Sequence, residues 1–439
     1  MDPIIIILGL IGGIVIFINP IVGLLTTIAL IPQSIIPSMS STIFGIFTVA
    51  TPIKIIGGIT FVSVFIKQLL ERKRLNFIKK HQLKYFIIFL LWIIISGFSQ
   101  PGSFTRENFT LFTSFAMLGF IILVLIINKK RFKLALWVGL ISTFAVAIHE
   151  FIYYAYSNKT ISVSGASYGS GYFAIGLIPF IGIAFYNSFT EKNKLLTIFS
   201  LIISAIIAST LILTFSRGGI LGFAGLLLIG MLKSNNKFKS FIFFIVFGLL
   251  LVSVMPPRVW EKFEKTKINV PSSDQVVQST QLRWIHINIA WRIFLEHPLN
   301  GIGIGNYYWE CGKYAPIGHG RAHNTYLEIL AELGIIGLFI FAGILFYTFK
   351  TLENIIQSQH EAYSGYAKGL YTGLAGFLIA ALFLHAQQEK VLWFVIFMAM
   401  ALENVWEKEK TGLRVGELSG SRVNKARLRN NSHKSQVTR

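Results

Sequence analysis

Long apolar runs recur along this whole chain, at roughly 4–36 (broken at Asn19-Pro20), 44–66, 85–99, 109–128, 134–153, 172–188, 195–215, 218–232, 240–255, 325–349, 366–386 and 391–406. A helix needs about 20 mostly apolar residues to cross a bilayer. Only a helix or a closed barrel satisfies its own backbone there, and runs of this length point to helices. The chain is therefore read as an all-α polytopic membrane protein with about 12 transmembrane helices. A soluble fold is excluded by composition, since 54% of the 439 residues are hydrophobic and 13% charged, more apolar surface than a globule of this size can bury. The stretch 1–18 lacks a basic leader and a small-residue cleavage site, so it reads as a span and not as a removed signal.

Orientation follows from Lys and Arg in the short loops, which are retained on the cytoplasmic side. Lys67, Arg72, Lys73, Arg74, Lys79, Lys80 and Lys84 crowd one loop, Lys129, Lys130, Arg131 and Lys133 a second, and Lys233, Lys237 and Lys239 a third. All fall on one side. The region 1–406 reads as the transmembrane domain, and 407–439 as a basic, disordered cytoplasmic tail lying near anionic lipid. Much of the net charge of +21 is thus topology, and no nucleic-acid partner is needed to explain it.

Alternation then places Gln100–Asn108, about 155–171, the turn Ser216-Arg217-Gly218-Gly219 and a long polar segment, 256–322, on the outer side. The long segment carries eight Lys or Arg against five Asp or Glu. Its one cysteine, Cys311, cannot form an internal disulfide. No Cys/His metal spacing and no phosphate-binding loop of the Gly-x-x-x-x-Gly-Lys type is present, so neither a metal, nor a cofactor, nor ATP-driven work is expected. Within the segment, Gln281–Glu296 puts Leu282, Ile285, Ile289 and Ile293 on one helical stripe, with Arg283, His286 and Arg292 directed elsewhere, as in a helix resting on a membrane surface. The run from Leu299 to Asn306, with Gly301, Gly303 and Gly305, reads as a turn more readily than as a phosphate cradle.

Thr325-Tyr326-Leu327-Glu328 has the pattern of a capping box, which starts the next helix near Thr325 with His323 just before it. The positive end of a helix disfavours an imidazolium, so His323 is expected to stay neutral and able to act as a general base. The plainer alternative is a histidine that only hydrogen-bonds at the interface. Arg217 sits alone in a short turn between two apolar spans, either snorkelling to lipid phosphates or offering its planar fork of donors to a diphosphate. Arg283 and Arg321 are its natural companions.

Ser216-Arg217-Gly218-Gly219, Arg283, His297-Pro298 with the glycine run, and His323-Asn324 followed after nine residues by Gly334 and after two more by Gly337 resemble the O-antigen ligase-related family over roughly 200–350. That family comprises O-antigen ligases, O-antigen or exopolysaccharide polymerases and bacterial protein O-oligosaccharyltransferases. The resemblance implies a GT-C-like helical fold with one large periplasmic loop in the bacterial inner membrane. It also implies glycan transfer from an undecaprenyl-diphosphate carrier to lipid A-core, a growing polysaccharide or a protein, without a cofactor. It carries the family's catalytic histidine to His323 and its essential arginines to Arg217 and Arg283, with Arg321 as a third. Ser216, Gly218, Asn324, Gly334 and Gly337 are matched as motif positions. The expected activity is that of a metal-independent inverting glycosyltransferase, most simply the ligase. A solute transporter remains the alternative of another class, on Lys54, His149, Glu150 and His385 in or near apolar runs. No matched pair of broken helices in two halves favours it.

Overall fold

The computed structural model describes residues 3–33, 50–71, 80–99, 103–157, 170–234, 275–315, 319–358 and 361–411, and every element among them is helical. In chain order these are α1 (Pro3–Ile18), α2 (Pro20–Gln33), α3 (Ala50–Glu71), α4 (His81–Ser99), α5 (Ser103–Leu125), α6 (Lys129–Ser157) and α7 (Ser170–Thr190). There follow α8 (Lys194–Leu213), α9 (Arg217–Leu232), α10 (Gln275–Glu296), the short α11 (Tyr307–Glu310) with a 3-10 turn (Cys311–Lys313), α12 (Thr325–Gln357), α13 (Glu361–Ala380) and α14 (390–411).

Among the described residues seven helices, α3 to α8 and α12, are long and apolar enough to cross a membrane. The count is up to eight if the bent pair α1/α2 is one span. The break in that pair falls at Asn19-Pro20, where proline opens a new helix after a turn of 118°. The expected count of about 12 exceeds eight by α9, 240–255, α13 and α14. Helix α9 is a shorter apolar helix, and 240–255 lies outside the described residues. Helix α13 stops at Ala380, where 366–386 was expected as one span, because 381–389 is an irregular passage leading into α14. Of the long polar segment, 256–274 and 316–318 also lie outside the described residues, as do the greater part of 155–171 and the tail beyond 411.

Apolar contact gives little net drive between helices already in lipid, so close packing of small residues holds them together. Helix α13 runs against α7 and α9. A Cβ on Gly182 would stand 2.9 Å from the Gly369 carbonyl, and one on Gly222 would stand 2.6 Å from that of Gly376. On the other flank α4 packs on α12, beside an aromatic core in which Phe86, Phe89, Phe112 and Phe115 surround the buried Trp393.

One end of the bundle is laced by ion pairs: Lys80 with Glu403 and Glu407, Lys133 with Glu191, and Lys233 with Glu353. These are the basic loops assigned to the cytoplasm from sequence. The opposite end collects the start of α7, the start of α9, the start of α12 and the passage 381–389.

Helix α12 is interrupted at Gly334, with φ 65° and ψ −172°, a region open essentially to glycine alone. Backbone groups around the interruption find partners outside the helix. The amides of Ile302 and Gly303 donate to the carbonyls of Ala331 (3.0 Å) and Glu332 (2.8 Å), and Ile335 N–H donates to the Pro298 carbonyl (2.8 Å). Trp92 Nε1 donates to the Leu333 carbonyl (2.9 Å) and Ser96 Oγ to that of Glu332 (3.1 Å). The glycine run is therefore a backbone clamp on a broken helix. Gly301, at φ +65°, lies directly against Glu332, and Gly334 against the Leu299 carbonyl. Gly334→Ala should destabilise the protein by at least ~1–3 kcal/mol from backbone strain alone, read as a lowered unfolding temperature in detergent.

Candidate active site

The turn between α8 and α9 is built from its own side chains. Thr214 Oγ1 donates to the Leu211 carbonyl (2.6 Å) and accepts from Ser216 N–H (3.2 Å). Phe215 takes a left-handed backbone, φ 53°, uncommon for a bulky residue and tolerated where the surroundings enforce it. Ser216 is the N-cap of α9, accepting from Gly219 N–H (3.2 Å). Arg217 is thus the first residue of α9, half-buried at its mouth. The glycines that follow allow close approach: a Cβ on Gly219 would meet Ala174 of α7 at 2.5 Å, and one on Gly218 would meet Phe383 at 2.9 Å.

The loop ahead of α12 is fixed as tightly. His319 stacks on Tyr308 and packs at a tilt against Trp309, and the Arg321 guanidinium lies over the Tyr308 ring. His323 has a left-handed backbone too, φ 50°. Asn324, and not Thr325, caps the helix: its Oδ1 accepts from the amides of Tyr326 and Leu327, each at 3.0 Å. The capping box expected from Thr325 and Glu328 is therefore corrected. Asn324 holds the extended backbone of a cap, and the Thr325 hydroxyl is taken by 381–389, donating to the Leu384 carbonyl (2.6 Å) and accepting from Ala386 N–H (2.8 Å). Glu328 turns back to Arg321 (3.2 Å) and to Ala322 N–H (3.0 Å).

Helix α10 packs on α12. Its buried face is His286, Ile289, Ala290 and Ile293, while Leu282, assigned to that face from sequence, is exposed. His286, expected to point elsewhere, is the histidine that the helix delivers inward. Tyr307 O–H donates to the His286 carbonyl (2.7 Å) and lies 3.3 Å from its Nδ1, and Gly320 lies directly against the imidazole. Cys311 is buried beneath the 3-10 turn, where burial pushes its thiol up, as for a structural cysteine.

These pieces form one electrostatic cluster. The His286 and His323 rings are 6.1 Å apart. Burial lowers the Arg283 guanidinium, and the charge of Arg217 lowers it further. Burial, then Arg283, then His286 bring His323 down to about 4, so the imidazole is neutral at neutral pH. The neutrality expected from the helix terminus thus has burial and a neighbouring arginine as its main causes. His323 Nδ1 is buried with no hydrogen-bond partner among the described residues. Arg321 differs from the other two arginines: burial works against its charge, but Glu328 and Glu332 outweigh that and hold it above its ordinary value. Two residues from outside the long segment complete the cluster. Tyr172, at the start of α7, hydrogen-bonds His385 and lies within electrostatic reach of Arg283 and Arg321.

Arg217, Arg283, Arg321 and His323 are therefore brought together, with Ser216, Gly218 and Asn324 setting the turns that carry them and Gly334 the break below. Gly337 belongs to packing, lying against Leu333 and Trp92. Of the residues weighed for transport, His385 is in this cluster, His149 pairs with Glu150 (3.1 Å) on α6, and Lys54 lies on α3. Sequence reasoning missed Tyr172, His286, Tyr307, Glu332 and Gln387. Glu332 carried a signal, a second carboxylate four residues after Glu328 at the start of an apolar run. Among the described residues no group of three or more His, Cys, Asp or Glu could hold a metal ion.

Fold and site together define a polytopic α-helical membrane protein with a histidine and arginine cluster where broken helices open at one end of the bundle. The family model described as O-antigen ligase matches residues 199–342, about a third of the chain, and over that segment the chain is similar to the O-antigen ligase-related family. The match includes Arg217, Arg283, Arg321 and His323, and leaves Tyr172 and His385 outside it. The family is glycosyltransferase-like, of ligase or polymerase type. No curated protein matched the chain.

Removing the Tyr307 hydroxyl takes a second donor from the His286 carbonyl, which keeps its bond within the helix, a loss of about 0.5–1.5 kcal/mol. Tyr307→Phe is accordingly expected to lower the unfolding temperature, and to do so without any change in membrane insertion.

Proposed function

We propose that this protein transfers a glycan from undecaprenyl diphosphate to an acceptor hydroxyl at the periplasmic face of the bacterial inner membrane, with lipid A-core as the acceptor. The observation that carries this reading is the juxtaposition of a half-buried, neutral His323, its Nδ1 enclosed, with Arg283 and Arg217 inside the matched segment. A donor used outside the cytoplasm must bring its own activation, and a polyprenyl diphosphate leaving group does so. His323 takes the proton of the acceptor hydroxyl as its oxygen bonds the anomeric carbon. The bond from that carbon to the diphosphate oxygen breaks on the opposite face, and the electron pair leaves with undecaprenyl diphosphate. One displacement inverts the anomeric centre.

Arg217 and Arg283 stabilise the charge developing on the leaving group. Each guanidinium offers paired donors suited to phosphate oxygens, and their mutual repulsion in the absence of an anion is relieved when one binds. Arg321 stands third, since Glu328 already holds part of its charge. Polymerase and protein-transferase activity use the same chemistry with another acceptor, and the glycan profile separates them. A mutant that loses all polymer-bearing lipopolysaccharide and accumulates long lipid-linked chains lacks a ligase, whereas a core carrying one repeat unit marks a missing polymerase.

His323→Ala is expected to abolish transfer while insertion and yield stay normal; an alanine variant that builds glycan at the normal rate would sink the mechanism. Arg217→Lys and Arg283→Lys keep a charge but lose the fork, and each should lower kcat/KM about 10- to 100-fold, as expected for about 1.4–2.7 kcal/mol of lost leaving-group stabilisation. The working form of His323 is the neutral one, which persists as pH falls until the imidazole titrates near 4. Transfer at about pH 5.5 should therefore retain most of its neutral-pH rate, where a histidine with an ordinary value near 6.5 would have lost about nine-tenths of its base form.

A further inference from the structure

We propose that Glu328 is a positioning residue for this reaction, fixing both the backbone and the cation that flank His323; this rests on His323 being the base. Glu328 lies in the first turn of α12, wholly buried. One carboxylate oxygen accepts from Arg321 Nη1 and from Gln387 Nε2, each at 3.2 Å, and the other accepts from Ala322 N–H at 3.0 Å. A single side chain thus joins the loop before His323, the helix after it and the passage 381–389.

The contact with Ala322 matters most. It holds the residue immediately before His323, whose left-handed backbone must be enforced by its neighbours. Asn324 caps the helix on the other side, so His323 is gripped from both directions. Glu328 also holds Arg321 along the loop, over the Tyr308 ring. A glutamine cannot reproduce this set: its oxygen can serve Ala322 or Arg321, and its NH2 then faces a donor. The carboxylate itself does not touch the reacting atoms. It acts through the placement of His323, so its loss should slow the chemical step and spare donor capture, which Arg217 and Arg283 provide from α9 and α10.

Glu328→Gln, Glu328→Asp and His323→Ala in the full-length protein, assayed in membranes of the producing cells with a polyprenyl-diphosphate-linked oligosaccharide as donor, test this. For Glu328→Gln the expected result is a fall in kcat of at least about tenfold with the donor KM within about threefold, since an interaction realised only in the transition state is what is lost. Glu328→Asp, which keeps the charge but withdraws it by one methylene, should lie between Glu328→Gln and the unmodified protein. A kcat within twofold of the unmodified protein in Glu328→Gln overturns the proposal while His323→Ala still reports separately on the base. If kcat and KM shift together with a lowered unfolding temperature, or if neither Glu328 variant can be recovered folded, Glu328 is a stability residue and the proposal fails. Full activity in His323→Ala removes the base itself, whatever Glu328 does.

Discussion

The rest of this structure depends on the interruption of α12. A helix broken within a bilayer exposes backbone groups that have no water to turn to, and leaving them unmet costs several kcal/mol each. Here the freed carbonyls of Ala331, Glu332 and Leu333 are met by Ile302, Gly303, Trp92 and Ser96, and the Ile335 amide by Pro298. Satisfying them ties the loop after α10 and the side of α4 to one point. The half-helix 325–333 is thereby set at a fixed place, with His323 at its mouth and Glu328 and Glu332 facing inward beneath it.

Around that mouth Arg217, Arg283 and Arg321 meet at the end of the bundle opposite the ion-paired loops, and Glu328 binds Arg321 directly. Burial withdraws solvent screening, so the neighbouring charges act on one another strongly. The result is a neutral histidine beside positive charge, a combination suited to removing a proton from a hydroxyl while an anionic group departs nearby. Neither property would survive at an exposed site, where the imidazole would keep its ordinary affinity for protons and the arginines would be hydrated.

Much of this was legible in the chain, for identifiable reasons. Apolar runs and basic loops located helices because bilayer crossing imposes a length and a composition. Arg217, Arg283, Arg321 and His323 were found through the spacing of their motifs and the family those motifs resemble. The helix begins at Thr325 as expected, but its cap was misplaced by one residue because Asn324 and Thr325 are both good caps, and the bonds of the Thr325 hydroxyl to Leu384 and Ala386 decide between them. The inward face of α10 was read correctly at Ile289 and Ile293 and missed at Leu282 and His286, because periodicity alone treats Leu282 as apolar and His286 as polar. The helix instead buries His286, whose backbone and ring are both met by Tyr307. Tyr172 and His385 lie more than a hundred and about sixty residues from His323 in sequence and carry no local pattern that points to it.

By itself the sequence determined that the chain is helical, that it belongs in a bilayer and which end of it faces the basic loops, because solvation acts on each segment separately. It also brought forward the residues proposed to take a proton and to grip a diphosphate. The tertiary structure alone decided that His323 is neutral chiefly through burial and Arg283, that the glycine run clamps a broken helix, and that Glu328 binds the loop before the histidine. Those are properties of distance and enclosure between segments far apart in the chain, and no single segment contains them.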